Sequence, residues 1–143
     1  MDIFSSAGHD ALRIVIAYLL ALPVGWNREK EEHTIGVRTF PLVAVASCGY
    51  VLLGSAPGMT GDAQSRIIQG LVAGIGFIGG GAILKDRGHV RGAATASSIW
   101  NFGVVGAAVA QDRFILAAAL AGLNFFALRV LGPIKERLDE EPK

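Results

Sequence analysis

The chain has 143 residues, of which 52% are hydrophobic and 17% charged, with 19 glycines and a formal net charge of +1. So thin a charged complement argues against an ordinary soluble domain, in which about a quarter of residues are charged. The near-neutral balance, with no basic groove and no aromatic-basic interleaving, gives nucleic-acid binding no support. The single cysteine, Cys48, excludes an internal disulfide and, lying in an apolar segment, reads as a packing residue.

The apolar residues fall in blocks near the length that crosses a hydrocarbon core. They predict an all-α polytopic membrane protein, a compact bundle of about five transmembrane helices over residues 1–131, followed by a short charged tail at 132–143. The amino end carries Asp2 and Asp10, and this acidic start argues against a signal peptide. The first span covers Ala11 to Trp26, with Arg13 snorkelling near its start and Pro23 and Gly25 loosening its inner end. A polar connection, Asn27 to Arg38, leads to a second span from Thr39 to Leu53 that tolerates Pro41 in its first turn. Gly54 to Gly61 reads as a turn.

Between Arg66 and Lys85 lie 18 uncharged residues, the third span, with Gln69 as their one strongly polar side chain. Six glycines, Gly70, Gly74, Gly76, Gly79, Gly80 and Gly81, predict close packing against other protein or a local hinge. After a basic connection, Lys85 to Arg91, a fourth span of weaker hydropathy occupies Gly92 to Ala110. The fifth runs from Phe114 to Leu131 and is broken by Gly132-Pro133. Ten Lys and Arg fall on the side of the first and third connections and the tail, against Arg13, Arg66 and Arg113 on the other. That asymmetry predicts an external amino end and a cytoplasmic carboxyl end, which an odd number of spans satisfies. A four-span arrangement, with Ala11–Trp26 or Gly92–Ala110 re-entrant, is the alternative.

Several short motifs fall at the ends of these spans: GWNRE with Gly25, Arg28 and Glu29, GVRT with Gly36, Val37, Arg38 and Thr39, and DAQSR with Asp62 and Arg66. They are followed by GIGFIG over 74–79 and by VRGAATASSIW with Val90, Arg91, Gly92, Thr95, Ala96 and Trp100. In this order the chain resembles the membrane domain of the MgtC/SapB family over nearly its whole length through the fifth span. It departs from the family pattern at Asn27, where an acidic residue is common, and at Gly70, with Gln69 standing one place before the usual glutamine. The resemblance implies a multi-pass bacterial inner-membrane protein, a short form without the soluble carboxyl-terminal domain of longer members. It further implies adaptation to limiting magnesium through a membrane partner, the ATP synthase being one such partner proposed for the family.

Among the candidate residues, Asp62 and Arg66 stand four apart and can pair at the outer boundary. A ligand-free salt bridge and a carboxylate that shapes an outward cavity for a cation both stay open, the second kept in view by the family's acidic position. Arg28, Glu29, Arg38 and Arg91 form an inner constellation whose arginines hold their charge and offer several donors to a carboxylate, a lipid phosphate or a partner. Positive-inside topology and helix capping explain the same residues without a ligand. Arg91, Thr95 and Ser98, with Asn101 nearby, advance by helical steps and predict a polar stripe that cross-links helices or lines a solute path. Trp26 reads as an interfacial anchor and Trp100 as interior packing.

The three histidines lack metal-ligand spacing and the triple glycine lacks the context of a phosphate loop, so the sequence predicts no enzyme, no cofactor and no assigned metal ligand. Three functional classes follow. A regulator acts on a membrane-protein partner; a transporter needs a continuous polar path from Asp62 to Arg38 and Arg91; an assembly protein, including a homo-oligomer, buries Gly70, Gly74 and Gly81 at a fixed interface.

Overall fold

A computed structural model of the chain describes residues 3–32, 35–86 and 89–132. Among the described residues five helices make up the bundle: α1 (Ile3–Glu32), α2 (Thr39–Gly54), α3 (Gly61–Gly81), α4 (Ala93–Ala110) and α5 (Phe114–Phe126), the last continued by a π-helical turn, Ala127–Leu131. The fold is an all-α membrane bundle, as the apolar blocks predict. Ser6–Lys30, Ala93–Ala110 and Phe114–Leu131 are each long and apolar enough to cross a membrane, whereas α2 is apolar but only 16 residues long. Short connections make sequential neighbours antiparallel. The end of α1, the starts of α2 and α4 and the end of α5 therefore share one end of the bundle, called inner below.

Three expectations are revised. First, α1 does not stop at Trp26; Pro23 lies within a helix of 30 residues, and Asn27 to Glu32 continue it, shortening the first connection. Second, the 18-residue uncharged run is not all helix, because α3 ends at Gly81 and Ala82 turns the chain. Third, the basic connection is a small antiparallel hairpin of β1 (Leu84–Asp86) and β2 (His89–Arg91), in register Leu84↔Arg91, Lys85↔Val90 and Asp86↔His89. Gly92 then turns into α4 with φ +84, and a Cβ there would strike the Ala82 carbonyl oxygen, so geometry and space both require glycine. As expected, α4 is a span of weaker hydropathy, and it has the largest buried share of the three, 61%. The charges counted at position 87 and in the tail at 133–143 lie outside the described residues.

The burial of α4 explains its composition. A helix surrounded by protein needs small residues that admit neighbouring backbones, because lipid tails are as apolar as leucine and association rests on close packing. A Cβ at Gly106 would collide with the Ala44 carbonyl oxygen of α2, and one at Gly103 with Ile75 Cδ1 of α3. Phe40 and Phe102 pack edge-on, with centroids 5.7 Å apart and planes at 60°. Cys48 is fully buried in the same core.

By contrast, α3 buries only Ile75 and Gly79. A Cβ at Gly79 would meet the Ala96 carbonyl oxygen at 3.3 Å, but Gly70, Gly74, Gly76, Gly80 and Gly81 have nothing within 4 Å of that position. Phe77 is 85% exposed beside them. Within one chain these five glycines are not packing contacts, so the close packing expected of them is not made inside this chain; the close-packing glycines of the core are Gly103 and Gly106.

At the outer end Arg13 joins α1 to the α4–α5 turn. Its Nε donates to Asp112 Oδ1 at 2.8 Å, Nη2 donates to Asp112 Oδ2, and Nη1 donates to Asp10 Oδ1 at 2.9 Å. Hydrogen bonding from Arg13 holds the Asp112 carboxyl below its ordinary range. Whatever stability this clasp gives is present above the ordinary carboxylate range and is lost as pH falls through the lowered value.

Gly106→Val should destabilise the detergent-purified protein by about 2 kcal/mol or more through overpacking, and Gly74→Ala should change stability by no more than about 1 kcal/mol. Unfolding followed by circular dichroism in one detergent gives the comparison. Equal destabilisation by the two would contradict this assignment of packing glycines.

Candidate functional site

The inner end is built around α1. Residues 25, 28 and 29 fall close together on the helix, so Gly25, Arg28 and Glu29 address neighbouring directions. A Cβ on Gly25 would sit 3.0 Å from Val37 Cα and 3.1 Å from the Gly36 carbonyl oxygen, and one on Gly36 would overlap the Glu29 carboxylate. The two glycines thus let the connection lie directly on α1. Glu29 Oε2 accepts the Val37 amide at 3.1 Å, while the Gly36 carbonyl accepts the amides of Thr39 and Phe40 at 3.1 and 3.3 Å and starts α2. The GWNRE and GVRT motifs are two halves of one knot.

Arg28 turns from this knot into the bundle. It is 7% exposed, and its Nη2 donates to Thr95 Oγ1 on α4 at 2.9 Å. Thr95 is 1% exposed and Ser98, one turn on, is 2% exposed. Ser98 Oγ lies 2.9 Å from both the Ala94 carbonyl oxygen and Asn124 Oδ1 of α5, and its single hydrogen serves one of them at a time. Farther in, Asn101 Nδ2 donates to the Leu120 carbonyl at 3.2 Å. Three polar residues of α4 therefore fasten α1 and α5 across the inner half, as a helix-linking stripe does. Beside them a groove of about 600 Å³ runs between α4 and α5, with Arg28, Ser98, Asn101 and Asn124 in its polar wall and Leu120, Leu123 and Leu131 in its apolar one.

The structure therefore gathers Arg28, Glu29, Thr95, Ser98 and Asn101 and leaves the other candidates apart. Arg91 belongs to β2, is exposed and precedes the break at Gly92, so the stripe begins at Thr95. Arg38 is exposed where α2 begins. Asp62 lies in the first turn of α3, whose Thr60 cap accepts the Ala63 amide at 3.2 Å; both Asp62 and Arg66 are exposed, and no salt bridge joins them. Trp100, expected in the interior, is 51% exposed, because the tight contacts of α4 are made by its small residues instead. Trp26 is 61% exposed, with Lys30 Nζ 5.6 Å from its ring centroid, a setting that suits an interfacial anchor. Among the described residues no cluster of three His, Cys, Asp or Glu is placed to hold a metal ion.

Asn124 is the site residue that sequence reasoning missed. It is the one strongly polar side chain between Phe114 and Leu128, and an amide facing lipid would be costly, which marks it as facing protein or a ligand.

Thr95→Val, which removes the acceptor of a buried charged donor, should destabilise the protein by about 1–3 kcal/mol, and Thr95→Ser by less. Arg91→Gln, at an exposed position, should stay within about 0.5 kcal/mol. Detergent unfolding midpoints test this order; equal midpoints for the two Thr95 variants would remove the Arg28 hydrogen bond from the account.

Comparison with known proteins bears on the same segments. The family described as MgtC family matches residues 14–137, which include the knot, the polar stripe and the groove. SrpB of Synechococcus elongatus is 33% identical over 138 residues, covering 87% of this chain and 74% of its own. MgtC of Brucella abortus is 32% identical over 130 residues, 90% of this chain and 53% of its own. MgtC of Salmonella typhimurium is 30% identical over 131 residues, 92% and 56% respectively, so the chain spans about half the length of these two proteins. No solved structure matches. Motif order, helix arrangement and a match across most of its length place the chain in the MgtC family.

Proposed function

We propose that this chain is a multi-pass protein of the bacterial inner membrane that modulates ion homeostasis, and adaptation to low magnesium in particular, by engaging a membrane-protein partner. The observation that carries this reading over transport is where the polar interior stops. Arg28, Thr95, Ser98 and Asn101 occupy the inner half, and Phe102, Val105 and Val109 are each fully buried beyond them, with Phe40 against Phe102. Among the described residues Ser47 is the buried polar side chain beyond them, beside Gly106, and its Oγ donates to the Val43 carbonyl of its own helix at 2.8 Å, so it does not extend the stripe toward Asp62, which is exposed at the opposite end. A conducting path needs polar groups or water along its length.

A face for a partner is present on α3. Gly70 and Gly74, both open, adjoin Phe77 and a groove of about 560 Å³ shared with Val43, Ser47 and Tyr50 of α2. Glycines let a partner helix approach closely. Their exposure within the single chain suits an interface with another protein better than a purely internal scaffold. Orientation follows from charge: Arg28, Lys30, Arg38, Arg91 and Arg129 gather at the inner end, and Arg13, Arg66 and Arg113 share the other with Asp10, Asp62 and Asp112. The positive-inside rule then favours an outside amino terminus and a cytoplasmic carboxyl terminus.

Two measurements separate regulation from transport. Proteoliposomes holding the purified protein should pass magnesium, protons and potassium no faster than empty vesicles. In a strain whose low-magnesium growth depends on this protein, Gly74→Trp should lose complementation at wild-type membrane abundance. Ion flux that Asp62→Asn abolishes would replace the regulatory reading with transport.

A further inference from the structure

The groove between the inner halves of α4 and α5 has features that helix packing does not fully use. Arg28, more than nine-tenths buried, presents a permanent charge to it. Among the described lining residues there is no carboxylate. Asn124 Nδ2 is buried in the same region with no hydrogen-bond partner, although an unsatisfied buried amide costs about 1–3 kcal/mol. Turned over, Nδ2 would donate to Ser98 Oγ and Oδ1 would become the orphaned atom, so Asn124 is incompletely satisfied in either orientation.

The helix that carries Asn124 is also irregular here. Ala127–Leu131 forms a π-helical turn, and its Ala127, Leu128 and Leu131 line the groove. Such turns are frequent at functional sites. The outer wall opens sideways: Leu123 is 66% and Leu131 54% exposed, on a surface that faces lipid in a membrane bundle.

We propose that this groove binds one anionic diacyl phospholipid, with its phosphate at Arg28, a glycerol-ester carbonyl at Asn124 Nδ2 and the start of an acyl chain along Leu120 and Leu123. The order of chemistry along the groove matches that of the lipid. The charge lies at Thr95, the Asn124 amide at Ser98 is about one helical turn deeper, and apolar side chains continue beyond it. Basic pockets between helices at a membrane surface select anionic headgroups, while a zwitterionic headgroup would bring its own ammonium toward the guanidinium. A volume of about 600 Å³ takes the phosphate, glycerol and first part of a chain, with the remaining tails in the bilayer. The inference requires neither a protein partner nor a particular orientation.

The test uses the full chain in an uncharged detergent, with lipid retention read by native mass spectrometry. Phosphatidylglycerol should be held about tenfold more tightly than phosphatidylcholine. Leu123→Trp, at an exposed position, should fill the groove and remove that preference without lowering the lipid-free unfolding temperature. Asn124→Leu should weaken phosphatidylglycerol by about tenfold as well. Equal retention of the two lipids by wild type would overturn the proposal, as would an unchanged preference in Leu123→Trp. Displacement of phosphatidylglycerol by glycerol 3-phosphate at matched concentration would also overturn it, showing a site for a small anion instead.

Discussion

A guanidinium that cannot be neutralised, held inside an apolar bundle, is the constraint on which the inner end depends. A charged side chain at a helix centre in a bilayer costs about 2.5–3.5 kcal/mol on insertion scales, and one nearer the end costs less but still needs acceptors. Arg28 finds one in Thr95, and that hydrogen bond sets the rotation of α1 against α4. The neighbouring Glu29 faces the connection and receives the Val37 amide, so two successive residues of one helix fix two different elements. Gly25 and Gly36 are the space that this arrangement needs: a methyl group at either would push the connection off α1 and with it the start of α2.

The rest of the bundle follows from placing α4 at its centre. Small residues along α4 let α2 and α3 approach closely, while Thr95, Ser98 and Asn101 supply the hydrogen bonds that hold α1 and α5. The polar and apolar duties are separated along the axis, with hydrogen bonds in the inner half and Phe102, Val105 and Val109 beyond. This separation is what the proposed regulatory role rests on, because hydrogen bonds between helices gathered at one end anchor the bundle without forming a polar path along its axis. It also leaves α3 held mainly by Ile75 and Gly79, with its remaining glycines outward.

Much of this was legible in the residues. Apolar run lengths located all five helices, and the motifs at their ends, which carry the family resemblance, pointed to Arg28 and Glu29. Thr95, Ser98 and Asn101 were legible from helical spacing, but Arg91 was not separable from them until Gly92 proved to be left-handed. Hydropathy ranked α4 low for the reason that makes it central: glycine, serine and threonine are tolerable in a span only where protein covers them. Counting glycines pointed instead to α3, where they are dense; density does not tell which face meets a neighbour, and contact with Ala44 and Ile75 selects Gly106 and Gly103. Four-residue spacing allowed the Asp62–Arg66 pair but did not compel it, because both side chains are exposed where water competes. Asn124 shows the reverse case, a lone polar residue whose meaning came from what it faces.

In the proposed orientation the bundle is polar and anchored at its cytoplasmic end and closed beyond Asn101. Labelling of single cysteines by a membrane-impermeant thiol reagent, with Cys48 replaced by alanine, tests it most directly. Arg91→Cys should react only from the cytoplasmic side, Met59→Cys only from the outside, and Val105→Cys and Val109→Cys from neither in the folded protein. Labelling of the two valine positions from either side, or of position 91 from outside, would contradict the account.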